Sequence, residues 1–370
     1  MKADVAIVGA GMAGASLAAE LAPHLSVIMI EAESHAGYHA TGRSAAFWSE
    51  TYGGPLIQPL TSASEGFLKA PSVSFSDRAF LQPRGAILVA EDEGKAVLDA
   101  MLREFEGSVE LRRFGRPELE RRIPGIRPGW SHCVYEASCA DIDVAALHQA
   151  YLKAARGSGA QLLLDTRLEG ARRTAGGWAL ATTQGDVQAA ILVNAAGAWA
   201  DGVAMLAGEA PVGVRPYRRT IAQLRVDPPA PADLPLVIDA LGRFYFKPEA
   251  GGRLWLSPHD ETPCEPCDSA AEEYDVALAI DRLSMIVDWR VERVEHSWAG
   301  LRSFAPDRLP VYGFADERRD FFWCAGQGGF GIQTAPAAAK LAAALLRDTE
   351  PDPMIAGISP SPYLVTRFTN

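Results

Sequence analysis

Residues 3–22 read ADVAIVGAGMAGASLAAELA. Residues 5–8 are a short unbroken apolar run of strand length, and the alanine- and leucine-rich part that follows the glycines has helical composition. Gly9, Gly11 and Gly14 between them have G-x-G-x-x-G spacing. In such a turn the first glycine permits the sharp bend, the second lets a pyrophosphate approach the backbone, and the third lets helix and strand pack closely. Met12 and Ala13 fall where the helix begins, and its free N–H groups and partial positive charge suit phosphate. A second apolar stretch, LSVIMIE (25–31), ends in Glu31, 22 residues after Gly9. A carboxylate placed there accepts hydrogen bonds from an adenosine ribose and repels a 2′-phosphate. Strand, turn, helix, second strand and terminal acid together point to an ADP-containing dinucleotide, and leave open whether it is a flavin or a nicotinamide one.

Three further stretches favour the flavin. GYHATGRSAAF (37–47) follows the second strand directly; its small residues and its one basic group, Arg43, suit a large flat cofactor and its pyrophosphate. WALATTQGDVQAAILVNAAGAWA (178–200) reads as a hairpin feeding a buried strand at 191–194 and a small-residue turn through Ala196, Gly197 and Trp199. The chain therefore returns late to its first sheet, as in a cofactor domain assembled from separated segments. In FFWCAGQGGFGIQTAPAAAKLAAALL (321–346), a strand over 321–325 runs into Gly326, Gly328, Gly329 and Gly331, then a helical run. These glycines fit G-x-G-x-x-G literally, but the chain goes on to DTEPDPMIAGISPSP, with no further acid-ended strand. The expectation is instead a helix N-terminus aimed at the ring region where reduced flavin gathers negative charge.

The 370 residues suffice for two domains, and a hydrophobic share of 48% with 22% charged residues is ordinary for a globular protein. A net charge of −11 argues against a nucleic-acid binder, which needs clustered Lys and Arg. The five cysteines do not form a disulfide framework. Cys264-Glu265-Pro266-Cys267 has the spacing of half a zinc site, but no second pair follows, and His132, His148, His259 and His296 show no ligand spacing. No metal is expected. Asp4 breaks the N-terminal apolar run, so no signal peptide is read, and no stretch reaches the ~18 apolar residues of a membrane span. The expectation is a cytoplasmic protein, with peripheral membrane association left open.

Taken together, AIVGAGMAG (6–14), TGRSAA (41–46), VNAAGAW (193–199), Gly300-Leu301-Arg302 with Pro306-Asp307 and Pro310, and GGFGIQT (328–334) resemble the D-amino acid oxidase family of FAD enzymes. That family includes glycine oxidases, sarcosine oxidases and bacterial D-amino acid dehydrogenases. The resemblance covers nearly the whole chain and is strongest to the D-arginine dehydrogenase type at GYHATGRSAA (37–46), ADIDVAALHQAYL (140–152) and AGLRSF (299–304). It implies an α/β protein with a discontinuous Rossmann-like FAD-binding domain (1–75, 141–210 and 300–370) and a β-rich α+β substrate-binding domain (76–140 and 211–299). It implies FAD contacts from Gly9, Gly11, Met12, Ala13, Gly14 and Glu31, and from Ala40, Thr41, Gly42, Arg43, Ser44, Ala45 and Ala46. Further contacts fall on Ala196, Gly197, Trp199, Gly300 and Arg302, and on Gly328, Gly329, Phe330, Gly331, Ile332 and Gln333. No Cys or His occupies the Gly-Leu-Arg turn where covalent relatives attach the flavin, so non-covalent FAD is expected.

The chemistry implied is oxidative deamination, with hydride passing from the substrate Cα to flavin N5 and an imine hydrolysing to a 2-oxo acid and ammonia. The resemblance places Arg302 on the substrate carboxylate, with Tyr245 as a phenolic donor and Gly329 beside them. Arg219 is a second candidate, and Arg218 replaces it if the strand faces the other way. Tyr52 and Phe47 would line the side-chain end. No general base is evident. Relatives that take cationic side chains carry a carboxylate after a Pro-Arg, where this chain has Pro83-Arg84-Gly85-Ala86, and Phe47 and Trp48 stand where an imidazole would suit a basic substrate. A guanidinium without a counter-ion in a buried pocket is costly. A neutral or apolar D-amino acid is therefore expected, with a sarcosine-like secondary amine, a 2-hydroxy acid or a non-catalytic FAD module as alternatives. The electron acceptor, a quinone, a dye-type acceptor or O2, is left open, and no nucleic-acid partner is expected.

Overall fold

In the computed structural model, which describes residues 1–368, the opening segment forms the strand Lys2–Val8 and the helix Met12–Leu21. The strand is buried on both faces and lies at the centre of an eight-stranded sheet. It runs parallel to Val27–Ile30 on one side and to Val187–Asn194 on the other. Gln161–Leu163 extends the sheet beyond Val27–Ile30, and Phe321–Ala325 extends it beyond Val187–Asn194, both in parallel. Val311–Phe314 closes that edge antiparallel. The late return expected for residues 191–194 and 321–325 is thus present, and each of these strands lies beside one far away in sequence.

Alternation along the first strand sorts its side chains between two layers. Val5 and Ile7 face a core made with the helices Met12–Leu21, Val144–Gly157 and Ala335–Arg347. Ala6 and Val8 face a second core with Trp178, Leu180, Ala200 and Val203. Parallel strands covered on both sides need such continuous apolar sequences.

The other large sheet has ten strands. Its spine is the antiparallel pair Arg215–Asp227 and Arg290–Phe304, in which Arg219 lies opposite Gly300 and Tyr217 opposite Arg302. Next to Arg215–Asp227 come Arg253–Ser257, Tyr245–Glu249, Leu236–Asp239 and Ala86–Ala90 in turn. One face of this sheet packs Ala222, Leu224, Leu254 and Phe246 against Ala279 and Leu283 of the helix Glu273–Ile286. The opposite face carries Ile221, Tyr245, Trp255 and Trp298, packed with Ala45 and Phe47 of the loop that leaves the first sheet. Strand Arg290–Phe304 belongs wholly to this sheet, and Gln327–Gly328 pairs with its end. The second sheet therefore reaches past residue 300. A small three-stranded sheet of Phe47–Trp48, Leu81–Pro83 and Ala140–Ile142 lies apart from both.

The glycine turn shows why two of its glycines are structural. Gly9 has φ +99°, and a Cβ on Gly14 would stand 1.9 Å from the Gly9 carbonyl oxygen. A Cβ on Gly11 would meet only Thr41 Oγ1, at 3.3 Å. Gly14→Ala must push helix and strand apart and is expected to cost about 3 kcal/mol, whereas Gly11→Ala should cost less than ~1 kcal/mol. Urea unfolding of the two variants checks this; equal losses would contradict the packing role of Gly14.

Candidate active site

A cavity of about 830 Å³ runs between the two large sheets, within the ~300–1,000 Å³ range of ligand sites. Its nucleotide end is built by the opening motif. The Met12–Leu21 helix has no side-chain cap and no acid in its first turn, which suits an anion at its N-terminus. Glu31, just past the second strand, accepts from the backbone N–H of Ala10 (2.8 Å) and Glu33 (3.1 Å). Both carboxylate oxygens are thereby fixed at the cavity wall, each with a lone pair to spare. Thr41 Oγ1 accepts from Met12 N at 2.9 Å and draws the small-residue loop over the helix start. His148 Nε2 lies 2.9 Å from the Ala10 carbonyl and supports the turn from beneath. Asn194 holds the turn 195–199 by donating to the Ala200 carbonyl (2.7 Å) and accepting from Ala196 N (3.3 Å).

Most of the anticipated residues meet on this wall: Gly9, Gly11, Met12, Ala13 and Glu31; Ala40, Thr41, Arg43, Ser44 and Ala45; Ala196, Gly197 and Trp199; and Gly300, Arg302, Gly328, Gly329, Gly331 and Ile332. Five of the expected cofactor contacts do not. Gly14 is used in packing, and Gly42 and Ala46 face a separate cavity on the far side of their loop. Phe330 packs edge-on against Tyr52 and Phe304. Gln333 is buried, donating to Tyr52 O (3.1 Å) and Thr61 Oγ1 (2.9 Å) and accepting from Ser49 N (3.3 Å). It ties down the turn that carries Tyr52 instead of facing a ligand.

In two expected roles the groups already have partners within the chain. Arg43, read as a partner for the pyrophosphate, pairs with Asp268 and donates to the Ser269 carbonyl at 2.7 Å. The expected helix N-terminus after the late glycines does not begin at them: the helix starts at Ala335, and its opening amides are taken. Ala335 N donates to Ile332 O (3.3 Å), Ala337 N donates to Ser64 Oγ (3.1 Å), and Pro336 has no N–H. The turn before the helix, not the helix end itself, lines the cavity.

At the other end the long strand pair delivers two guanidinium groups. Arg302 Nη1 donates to Tyr52 Oη at 2.6 Å. A Cβ on Gly329 would stand 2.7 Å from that phenol oxygen and 3.2 Å from Arg302 Nη1, so only glycine lets the late turn come this close. Arg219, only 4% exposed, donates from Nε to Asp260 O (2.7 Å) and from Nη2 to Glu261 (3.2 Å). Its Nη1 is buried and, among the described residues, has no partner. Burial and then the Arg302 charge weaken the hold of Arg219 on its proton. At Arg302 burial works the same way, but Tyr52, Tyr245 and the acids Glu261 and Asp260 outweigh it, and the net shift is upward. Arg218 points the other way, to Glu272 and to Asp275 at 2.9 Å. Tyr245 lines the cavity, while Phe47 packs on the rings of Tyr52 (5.1 Å between centroids) and Tyr245 (6.1 Å) without lining it.

Three residues that sequence reasoning missed belong to this neighbourhood. His39 lies tilted against Trp199, 4.6 Å between ring centroids, and 2.9 Å from Glu33. Glu136, fully buried, accepts from Ser49 Oγ (2.9 Å), Thr51 Oγ1 (2.6 Å) and Glu50 N (2.7 Å), fixing the turn just before Tyr52. Burial holds its carboxyl above the usual range in spite of these donors. His259 packs edge-on against Tyr245 at 5.6 Å, with Nδ1 2.9 Å from the Gly242 carbonyl. No motif marks these three, because each acts through a contact distant in sequence.

The glycine cradle, the acid-free helix start, the placed Glu31 and the arginine pair at the far end fit a flavin dinucleotide with an anionic substrate, and so define a flavin-dependent oxidoreductase. The chain belongs to the family described as FAD dependent oxidoreductase (DAO), which it matches over residues 4–345. It is 27% identical to a glycine oxidase of Geobacillus kaustophilus, an alignment covering 94% of this chain and 93% of the relative. It is also 27% identical to a glycine oxidase of Pseudomonas aeruginosa, with 98% of each covered. The crystal structure of the Geobacillus kaustophilus glycine oxidase superposes with a TM-score of 0.85 at 26% identity, covering 99% of both chains. The FAD cofactor and the mixed α/β fold expected from the sequence are thereby shown. The relatives named here are glycine oxidases, so the likeness to the D-arginine dehydrogenase type is not carried by them. Among the described residues no group of His, Cys, Asp or Glu could hold a metal, and no helix is long and apolar enough to cross a membrane.

Burial, then the Arg219 and Arg302 charges, push His259 down to about 3, so its ring is neutral at pH 7. The folded value lies below the unfolded ~6.5, so the associated stability is full above pH ~6.5 and drains away as pH falls toward 3. Between pH 7 and pH 5 the wild type should lose about 1–2 kcal/mol more unfolding free energy than His259→Asn. Urea titrations at both pH values check this, and parallel losses would refute it.

Proposed function

We propose that the protein oxidises the amine of a small, neutral amino acid, holding its carboxylate between Arg302, Arg219 and Tyr245, with Tyr52, which does not itself line the cavity, bonded to Arg302. The observation that carries this reading is the buried, unpartnered Nη1 of Arg219 beside Arg302 on one cavity wall. Two guanidinium groups on one wall call for an anion, and the planar fork binds a carboxylate with paired charge-assisted bonds. FAD, which the Gly9–Gly14 turn, Glu31 and the loop through Thr41 would hold, would supply a hydride acceptor for the substrate Cα–H, and an amine so oxidised would leave as an imine that hydrolyses to a 2-oxo acid and ammonia. The chain's part is to fix the carboxylate, aim the C–H bond and keep water out.

The nearby acids support a neutral side chain. Asp260 is bonded to Thr220 through N (2.8 Å) and Oγ1 (3.0 Å), and Glu261 is shared between Arg219 and Arg308. Neither is free for a cationic substrate, and Ala86, next to the Pro-Arg, is wholly buried and offers no carboxylate. The D-enantiomer comes from the sequence resemblance. The glycine oxidase relatives favour glycine itself or a sarcosine-like secondary amine as the second reading. The acceptor that reoxidises the enzyme is a quinone, a dye-type acceptor or O2. Non-covalent FAD is supported by the Gly300-Leu301-Arg302 segment, which carries no Cys or His. The domain division proposed from the sequence goes with this reading except at residue 300: the strand Arg290–Phe304 lies wholly in the second sheet, so Arg302 stands with the substrate wall.

An anaerobic screen of flavin bleaching tests the proposal, using glycine, sarcosine, both enantiomers of neutral and basic amino acids, and 2-hydroxy acids. Neutral amino acids or sarcosine should bleach the flavin fastest; fast bleaching by D-arginine alone, or only by hydroxy acids, overturns the substrate reading. Arg302→Met should keep FAD bound while the reduction rate falls by at least ~100-fold, the loss of a ~3 kcal/mol charge-assisted pair. Near-normal reduction in that variant would remove Arg302 from the carboxylate site.

A further inference from the structure

Residues 258–272, between the strand Arg253–Ser257 and the helix Glu273–Ile286, are held at two places. The first part is fastened to the substrate wall. Asp260 takes hydrogen bonds from Arg219 and Thr220, the strand Thr262–Pro263 pairs with Tyr217 and Arg218, and Cys264 N donates to Pro216 O at 3.2 Å. The second part is fastened to the cofactor loop. Asp268 accepts from Tyr38 Oη at 3.1 Å and pairs with Arg43, which also donates to the Ser269 carbonyl. Between the two attachments lies Cys264-Glu265-Pro266-Cys267, the motif that the amine chemistry leaves unused.

Only Glu265 and Pro266 separate the two cysteines in the chain, and Pro266, Cys267 and Asp268 line the cofactor cavity. Cys267 is exposed, whereas Cys133, Cys139 and Cys324 are buried. Among the described residues no other ligand set joins the pair, so a metal has no site there. What remains for two adjacent thiols, one of them exposed, is oxidation to a disulfide.

We propose that Cys264 and Cys267 form a redox-active dithiol whose disulfide stiffens the turn 264–267 at the wall of the FAD cavity. The oxidant is a low-molecular-weight disulfide. The Cys267 thiolate attacks one of its sulfurs and expels a thiolate; Cys264, losing its proton, then attacks the mixed disulfide and expels the second. Two protein thiols are oxidised to one disulfide, the oxidant is reduced to two thiols, and the protons pass to the leaving thiolates. Cross-linking the turn removes freedom from the stretch between the Arg219 and Arg43 attachments, and so resists the loosening of the wall as FAD leaves. The inference rests on the FAD fold and is independent of which amine is oxidised.

The test uses the holoenzyme equilibrated in glutathione buffers from fully reduced to fully oxidised, with acid quench, alkylation and peptide mass mapping. Two alkylatable thiols should disappear together, mapping to a Cys264–Cys267 bond that dithiothreitol reverses. FAD release, followed by recovery of flavin fluorescence, should slow at least about threefold in the oxidised form. Cys264→Ser and Cys267→Ser should each release FAD at one rate in both buffers. Thiols that stay alkylatable in the most oxidising buffer, or that only accumulate separate glutathione adducts, overturn the dithiol. A mapped disulfide with an unchanged release rate overturns the stiffening role.

Discussion

The register between Arg215–Asp227 and Arg290–Phe304 governs what the cavity can bind. With Arg219 opposite Gly300 and Tyr217 opposite Arg302, both guanidinium groups come to the face that looks toward the first sheet. A slip of one residue in either strand would send its arginine to the opposite face, because side chains alternate with a period of two. The register is held from the other side. Ala222, Leu224 and Val226 are buried against the helix Glu273–Ile286, and a slipped strand would expose them and bury Gln223 and Arg225 in their place. An apolar core on one face thus decides the placement of charge on the other.

Charge placement in turn depends on close backbone approach. Gly300 lies opposite Arg219, although a Cβ there would make only ordinary contact, 3.4 Å, with the Arg43 side chain. Gly329 lets the turn after Phe321–Ala325 press against Tyr52 and Arg302. The nucleotide end works the same way through Gly9 and Gly14. The cavity is therefore formed where segments separated by more than 200 residues meet over positions without side chains, such as Gly37–Ala45 and Gly300–Gly331. This explains why one cavity holds both the cofactor cradle and the arginine pair.

The parts of this arrangement that are local in sequence could be read from it. The strand, turn and helix around Gly9–Gly14 are encoded within twenty residues, and Glu31 follows directly from the second strand. Arg219 and Arg218 could not be told apart, since the phase of a strand is set by the sheet it joins, and here Arg218 turns to Asp275. Gln333 and Phe330 sit beside true wall residues in the same turn, yet their side chains are drawn off to Thr61 and Phe304. Arg43 lines the cavity as expected, but its partner Asp268, 225 residues away, stands in no local pattern. The contributions of Glu136 and His259 are also wholly tertiary, and neither stands in any local pattern.

The balance of charge at the arginine end also bears on protonation of the substrate. Arg302 and Arg219 face Asp260 and Glu261, whose oxygens are already engaged by Thr220, Arg219 and Arg308. His259 stays neutral and adds no charge. A bound carboxylate meets this positive field favourably, while an ammonium group a few ångströms further on meets it unfavourably and loses its proton more readily. Hydride loss from Cα requires the neutral amine, whose lone pair stabilises the forming imine. On the proposed reading the two guanidinium groups therefore do more than hold the carboxylate. They favour the reactive protonation state of the amine, which accounts for a pocket that needs no separate general base.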